Sequence, residues 1–172
     1  MKKRIAYIAA NINSLYESKI ISIMSRQARL MGYDLVVITH IVNYYSDDEY
    51  IKGEENVYSL IDHFRLDGAI LSYDTFFGKD LAESIEKRLA AKKIPVIAFD
   101  YKSRLFECCM QNDREGFRLL TEHFIKAHCL TDIICLSGPE DNIHAAERVR
   151  GYKDALKNNG ITLHEKNIIY GD

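Results

Sequence analysis

The run Arg4–Ala9, R-I-A-Y-I-A, decides how the rest of the chain is read. It is short and largely apolar at consecutive positions, so a strand formed here buries both faces, as strands of parallel sheets do. Three more runs of this kind follow: Asp34–Thr39 (DLVVIT), Gly68–Ser72 (GAILS) and Ile94–Asp100 (IPVIAFD). The intervals between them carry helical spacing. Ile20, Ile23, Met24, Ala28 and Met31 recur at three- and four-residue steps, with Gly32 as the stop. Ile51, Val57, Ile61 and Phe64 form a second stripe, and Leu81, Ile85 and Leu89 a third. The order β-α-β-α-β-α-β with right-handed crossovers predicts an α/β fold with an open, doubly wound parallel sheet.

A second set begins further on. Phe106–Met110 (FECCM) reads as a strand or an extended crossover, and Phe117, Leu120 and Phe124 mark a helix. Asp132–Leu136 (DIICL) reads as a strand. Ala145, Val149, Tyr152 and Leu156 mark a helix closed by Asn159-Gly160, and Asn167–Tyr170 (NIIY) is a last short strand. The polar segment with Lys102, Ser103 and Arg104 places a lobe boundary, giving 1–103 and 104–172.

Composition narrows the function classes. Lys plus Arg number 23 against 25 Asp plus Glu, a net charge of −2. That balance excludes a nucleic-acid grip built on phosphate neutralisation, which needs a basic face. No apolar run approaches the roughly 18–20 residues of a membrane span. The chain enters its first strand by Arg4, which leaves no room for a signal peptide and implies a cytoplasmic location. Cys108, Cys109, Cys129 and Cys135 have no C-x-x-C spacing and read as buried, reduced, small hydrophobes. His123 and His128 lie five apart, which does not put them on one helical face, and H-E-x-x-H is absent, so no metal site and no cofactor is expected.

In open α/β sheets ligands bind outside the carboxyl ends of the strands. The residues there are Asn11, Asn13, Ser14 and Tyr16 after the first strand, and Thr39 and His40 after the second. Tyr73, Asp74, Thr75 and Phe76 follow the third, and Asp100-Tyr101 ends the fourth. Such amides, hydroxyls, carboxylates and rings suit a polyhydroxylated ligand, and equally suit helix caps and turns. Asp100 stands apart, because a carboxylate closing a buried strand needs a partner. Phosphate-loop, dinucleotide, phosphoacceptor and G-x-S-x-G patterns all fail at these positions, so no nucleophile–base set is present and a non-enzyme is expected. A small flavodoxin-like enzyme or cofactor-binding domain, using the loops at Asn11–Ser14 and Tyr73–Phe76, is the competing reading.

The second half carries a more specific pattern: Ser137-Gly138-Pro139, then Arg148-Val149-Arg150-Gly151-Tyr152-Lys153-Asp154-Ala155-Leu156, then Asn159-Gly160-Ile161 and Tyr170-Gly171-Asp172. It resembles the LacI/GalR type of effector domain, a periplasmic-binding-protein-like type I fold. Gly32-Tyr33, Leu66–Ile70 and Ile94-Pro95-Val96 in the first half agree in outline. The resemblance implies two lobes closing over a sugar or other small polar effector, with Tyr16, Asp100 and Arg148 touching it; Asn13, Tyr73 and Asp74 complete the candidate set. Where the family commonly has Asp-Asn, this chain reads Gln111-Asn112 followed by Asp113. The stretch Tyr50–Tyr58 looks most like a subgroup fused to GGDEF or helix-turn-helix outputs. Only Met1–Lys3 precede the first strand, so a sensing role without direct nucleic-acid contact is expected. A βαβ unit takes roughly 30 residues or more. The second lobe is therefore expected to be incomplete, and the chain to self-associate as a homo-oligomer.

Overall fold

The computed structural model describes residues 2–41, 48–76 and 79–171. The chain divides into two compact units, Met1–Met110 and Gln111–Asp172. The first contains β1 (Lys3–Ala10), α1 (Leu15–Leu30), β2 (Tyr33–His40), α2 (Asp48–Glu55), a 3-10 turn (Asn56–Ser59), α3 (Leu60–His63), β3 (Gly68–Ser72), α4 (Lys79–Ala91), β4 (Val96–Phe99) and β5 (Glu107–Cys109). Its strands pair in parallel in the order β2-β1-β3-β4-β5. The alternation expected from the apolar runs is therefore present. Burial of β1 on both faces explains its sequence: Ala6, Tyr7, Ile8 and Ala9 are all fully buried. Ile8 packs with Ile38, Ile61, Leu71, Ile85 and Leu89 in one core.

Four expectations change. The strand Glu107–Cys109 belongs to the first sheet, paired in register with β4, and the compact units part at Met110/Gln111, beyond the boundary expected at 103/104. What holds it there is backbone pairing (Ile97 opposite Glu107, Phe99 opposite Cys109), which its sequence does not signal. The stripe over Ile51–Phe64 is not one helix, since a 3-10 turn separates α2 from α3. Helix α1 ends as predicted, with Gly32 at φ 78 beyond it, a conformation glycine adopts without a Cβ penalty. Its apolar residues are not all core, however: Ala28 is buried, while Ile23 and Leu30 are exposed, as is Met31 at the C-cap, because only one face of the helix turns inward. Finally, three of the four cysteines are exposed. Cys108 and Cys109 lie on the sheet-edge strand β5, Cys129 follows a helix end, and only Cys135 is buried.

The second unit holds α5 (Asp113–His128), β6 (Cys135–Ser137), α6 (Ile143–Asn158) and β7 (Ile168–Tyr170), with β6 and β7 paired in parallel. Cys135, Val149, Tyr152, Leu156 and Ile168 form its core. The Tyr152 hydroxyl donates to the Ile133 carbonyl at 2.8 Å. Helices α5 and α6 touch so closely at Gly151 that a Cβ there would overlap the Arg114 carbonyl oxygen and lie 2.9 Å from the Arg118 nitrogen. Among the described residues no helix is long and apolar enough to cross a membrane.

Candidate functional site

The strand order 2-1-3-4-5 puts the topological switch between β1 and β3, whose following connections lead to opposite sides. The loops beyond these two strands are held together by one hydroxyl. Thr75 Oγ1 accepts the Ala10 N–H at the end of β1 (2.8 Å) and donates to the Ser72 carbonyl at the end of β3 (2.7 Å). After β1 the chain turns through Asn11, at φ 51, a left-handed conformation that Asn tolerates better than most residues. The Asn11 N–H donates to the His40 carbonyl at 3.0 Å. Ser14 caps α1, its Oγ accepting the Glu17 N–H at 3.0 Å. Asn13 and Tyr16 lie exposed beside this cap.

Glu17 stands three residues after the cap, where a capping-box carboxylate would reach back to Ser14. It is buried instead, and Oε2 accepts the Tyr7 hydroxyl proton at 2.6 Å. Burial, reinforced by this carboxylate, pushes the Tyr7 phenol well above its ordinary range. The pair ties β1 to the first turn of α1.

The end of β2 is built on a second buried group. His40 Nδ1 lies 2.7 Å from Tyr58 Oη, the His40 N–H donates to the same oxygen at 3.3 Å, and Tyr58 Oη donates to the Ala9 carbonyl at 2.8 Å. A phenol has one proton, spent here on Ala9, so the proton between ring and phenol belongs to His40 Nδ1, which fixes the neutral tautomer. Burial lowers the His40 pKa from its ordinary value, against the pull of Glu55 and Glu54. Phe76 packs against both rings, its centroid 5.4 Å from that of Tyr58 and 6.4 Å from that of His40.

Beyond β3 and β4, Tyr73 and Tyr101 stack face to face, centroids 3.6 Å apart and planes at 6°. Tyr101 had no place in the candidate set, and it covers one face of Tyr73. Burial raises the Tyr73 phenol well above its ordinary value. Asp74 lies in the 3-10 turn Tyr73–Thr75, and its side chain is outside the described residues. Asp100 sits at φ 58, half-buried, its N–H donating to the Cys109 carbonyl at 2.8 Å. This bond fixes the turn that carries the carboxylate to the backbone of β5. The first unit thus gathers Asn13, Tyr16, Tyr73 and Asp100 at the carboxyl end of its sheet. A cavity of about 170 Å³, lined by Lys2, Lys3, Arg4, Arg65 and Asp67, opens at the opposite, amino end of β1.

Arg148 belongs to the second unit. Its Nε donates to Asp113 Oδ1 at 2.8 Å, and Asp113 Oδ2 meets His144 Nδ1 at 2.6 Å. Its sequence neighbours are engaged elsewhere, Glu147 with Arg150 and Asp154 with Arg114. Burial opposes the charged form of Asp113, but the hydrogen bonds from His144 and Arg148 outweigh it and hold the carboxyl below its ordinary pKa. Asn112 caps α5 through the Glu115 N–H, and Asn142 caps α6 through His144 and Ala145. The caps set the start of both helices, and with them Asp113, His144 and Arg148. The guanidinium is half-exposed, with its Nε edge fixed by Asp113.

The model for periplasmic binding proteins and the sugar-binding domain of the LacI family matches residues 3–172. The HTH-type transcriptional repressor PurR of Vibrio atlanticus (strain LGP32) is 27% identical over 174 residues, covering 99% of this chain and 48% of the repressor. The chain thus spans about half the length of the curated relatives it matches. The crystal structure of the transcription regulator CcpA of Lactococcus lactis superposes with a TM-score of 0.68 at 19% identity, over 100% of this chain and 59% of that one. The lac repressor dimer bound to operator and an anti-inducer superposes with a TM-score of 0.66 at 20% identity, over 99% of this chain and 55% of that one. These two likenesses are of fold.

Proposed function

Because the chain belongs to the family of periplasmic binding proteins and LacI-family sugar-binding domains, we propose that it is a non-catalytic, effector-binding sensor for a small polar ligand such as a sugar. The observation that carries this reading is the hydroxyl, amide, carboxylate and aromatic groups gathered at the carboxyl end of the first sheet, on backbone tied down by Thr75 and by the Asp100–Cys109 bond. Such groups hydrogen-bond a ligand's hydroxyls and pack against its apolar face. In this reading Asn13, Tyr16, Tyr73, Asp74 and Asp100 serve recognition from the first lobe. Arg148 serves from the second, its guanidinium oriented by Asp113. Ligand acts by binding one state of the domain more tightly than another.

The same proposal places the protein in the cytoplasm as a homo-oligomer within a regulator. The lac repressor neighbour is a dimer, and Ile23 and Leu30, one heptad apart on α1, are exposed apolar residues that a second copy would cover. Thermal-shift measurement against sugars, polyols and nucleobases tests the reading. A ligand that raises the melting temperature is expected, with Asp100→Asn, which the left-handed backbone tolerates, and Arg148→Ala each abolishing the shift in a protein that stays folded; Arg148→Ala also lowers the unliganded melting temperature modestly, through its lost bond to Asp113. No shift with any compound, or a yellow preparation carrying flavin, overturns it.

A further inference from the structure

The two histidines that sequence spacing separates come together in space. His123 lies in the last turns of α5 and His128 is its final residue, after which the chain turns through Cys129 at φ 55. Their Nε2 atoms are 3.2 Å apart, the rings nearly perpendicular at 82°, with centroids 5.0 Å apart. Both rings lie 6.2 Å from the ring of Phe124, and both residues are exposed. Five residues along a helix would ordinarily splay two side chains. Here the second ring turns back beside Phe124, and the two nitrogens meet.

This spacing is that of a chelate. Two imidazole nitrogens bonded to one tetrahedral ion at about 2.0–2.1 Å lie about 3.3–3.4 Å apart. With each ring centre about 1.1 Å behind its nitrogen, such a chelate sets the centres roughly 5 Å apart. A linear N–H···N bond of the observed length would hold them farther apart, at about 5.5 Å. The observed centroid separation of 5.0 Å is that of the chelate and not of the linear bond. We propose that His123 and His128 chelate a divalent late transition-metal ion (zinc, nickel or copper) through their two Nε2 atoms. Imidazole suits these metals. The nearby Lys126 is neutralised, its Nζ bonded to Glu122 at 2.7 Å. Among the described residues no group of three or more His, Cys, Asp and Glu side chains is placed to hold an ion, so water completes the coordination.

The test uses the full chain without a histidine tag, stripped with chelator and titrated with copper or nickel chloride by calorimetry. One ion per chain is expected. His123→Gln and His128→Gln should each weaken binding by about tenfold or more, with helix content and melting temperature unchanged because both side chains are exposed. Cys129→Ser should bind as the parent does. Absence of binding by the parent overturns the proposal. So does parental affinity in both histidine variants, or loss of binding in Cys129→Ser alone.

Discussion

Gly151 of α6 faces the Arg114 carbonyl of α5 with no room for a methyl group between them. Part of the Arg148–Leu156 pattern is thus a packing requirement and not a ligand-binding one. Gly151→Ala must push the two helices apart, and overpacking of this kind costs roughly 1–3 kcal/mol or more. Urea denaturation followed by circular dichroism should show the loss. An unchanged midpoint would mean the helices separate without cost.

The Tyr58 hydroxyl serves three partners at once. Tyr58→Phe leaves the Ala9 carbonyl and the His40 N–H and Nδ1–H unsatisfied in a buried place, which should cost roughly 1–3 kcal/mol. The same denaturation measurement checks it, with Tyr170→Phe, on an exposed tyrosine of β7, as a surface control.

His40 gives the first unit a pH dependence of definite sign. Its pKa is lowered on folding, chiefly by burial. Below about pH 6.5 the unfolded chain takes up a proton that the folded chain refuses, so the stability His40 contributes is full above that pH and declines as pH falls toward the folded value. Melting temperatures between pH 7.5 and 5 should fall more steeply in the parent than in His40→Gln. Parallel profiles would remove His40 as the cause.

Asp113 acts in the second unit at a lower pH. Its carboxyl is held below the ordinary value of 3.8. Its contribution is therefore present above that value and lost as pH falls through the folded value. Asp113→Asn keeps the size but loses the charge on its bonds to His144 and to the half-exposed Arg148, together worth roughly 1–3 kcal/mol once solvent screening of the guanidinium is allowed for. It should lower stability at pH 7 while flattening the loss on acidification, and a profile like the parent's at pH 3 to 4 would count against this role.

Strands β1 to β4 were legible because each is written as a largely apolar run, which in β1 and β3 is buried on both faces, while β2 is mostly half-buried and β4 leaves Ile97 exposed. Strand β5 was not: Glu107, Cys108 and Cys109 are exposed, and backbone pairing with β4 holds them there. The loops of the candidate site followed from strand order, since every one starts where an apolar run stops. Their internal partners did not. The Ser14–Glu17 spacing signals a cap, but nothing in it shows that the carboxylate meets Tyr7 across the strand–helix layer. Tyr58 reaches His40 over 18 residues that include the α2 segment. His123 and His128 converge because one ring turns back at the helix end, a choice of rotamer that helical periodicity does not encode.

The uneven exposure of the four thiols makes the chain its own probe of local opening. Cys108, Cys109 and Cys129 are open to reagent in the native state, whereas Cys135 lies in the core of the second unit beside Tyr152 and Val149. Alkylation of Cys135 therefore requires that unit to open, and its rate in the folded protein measures the free energy of that opening. Three fast modifications and one slow one would let the second unit's stability be followed separately from the first, without a label being introduced.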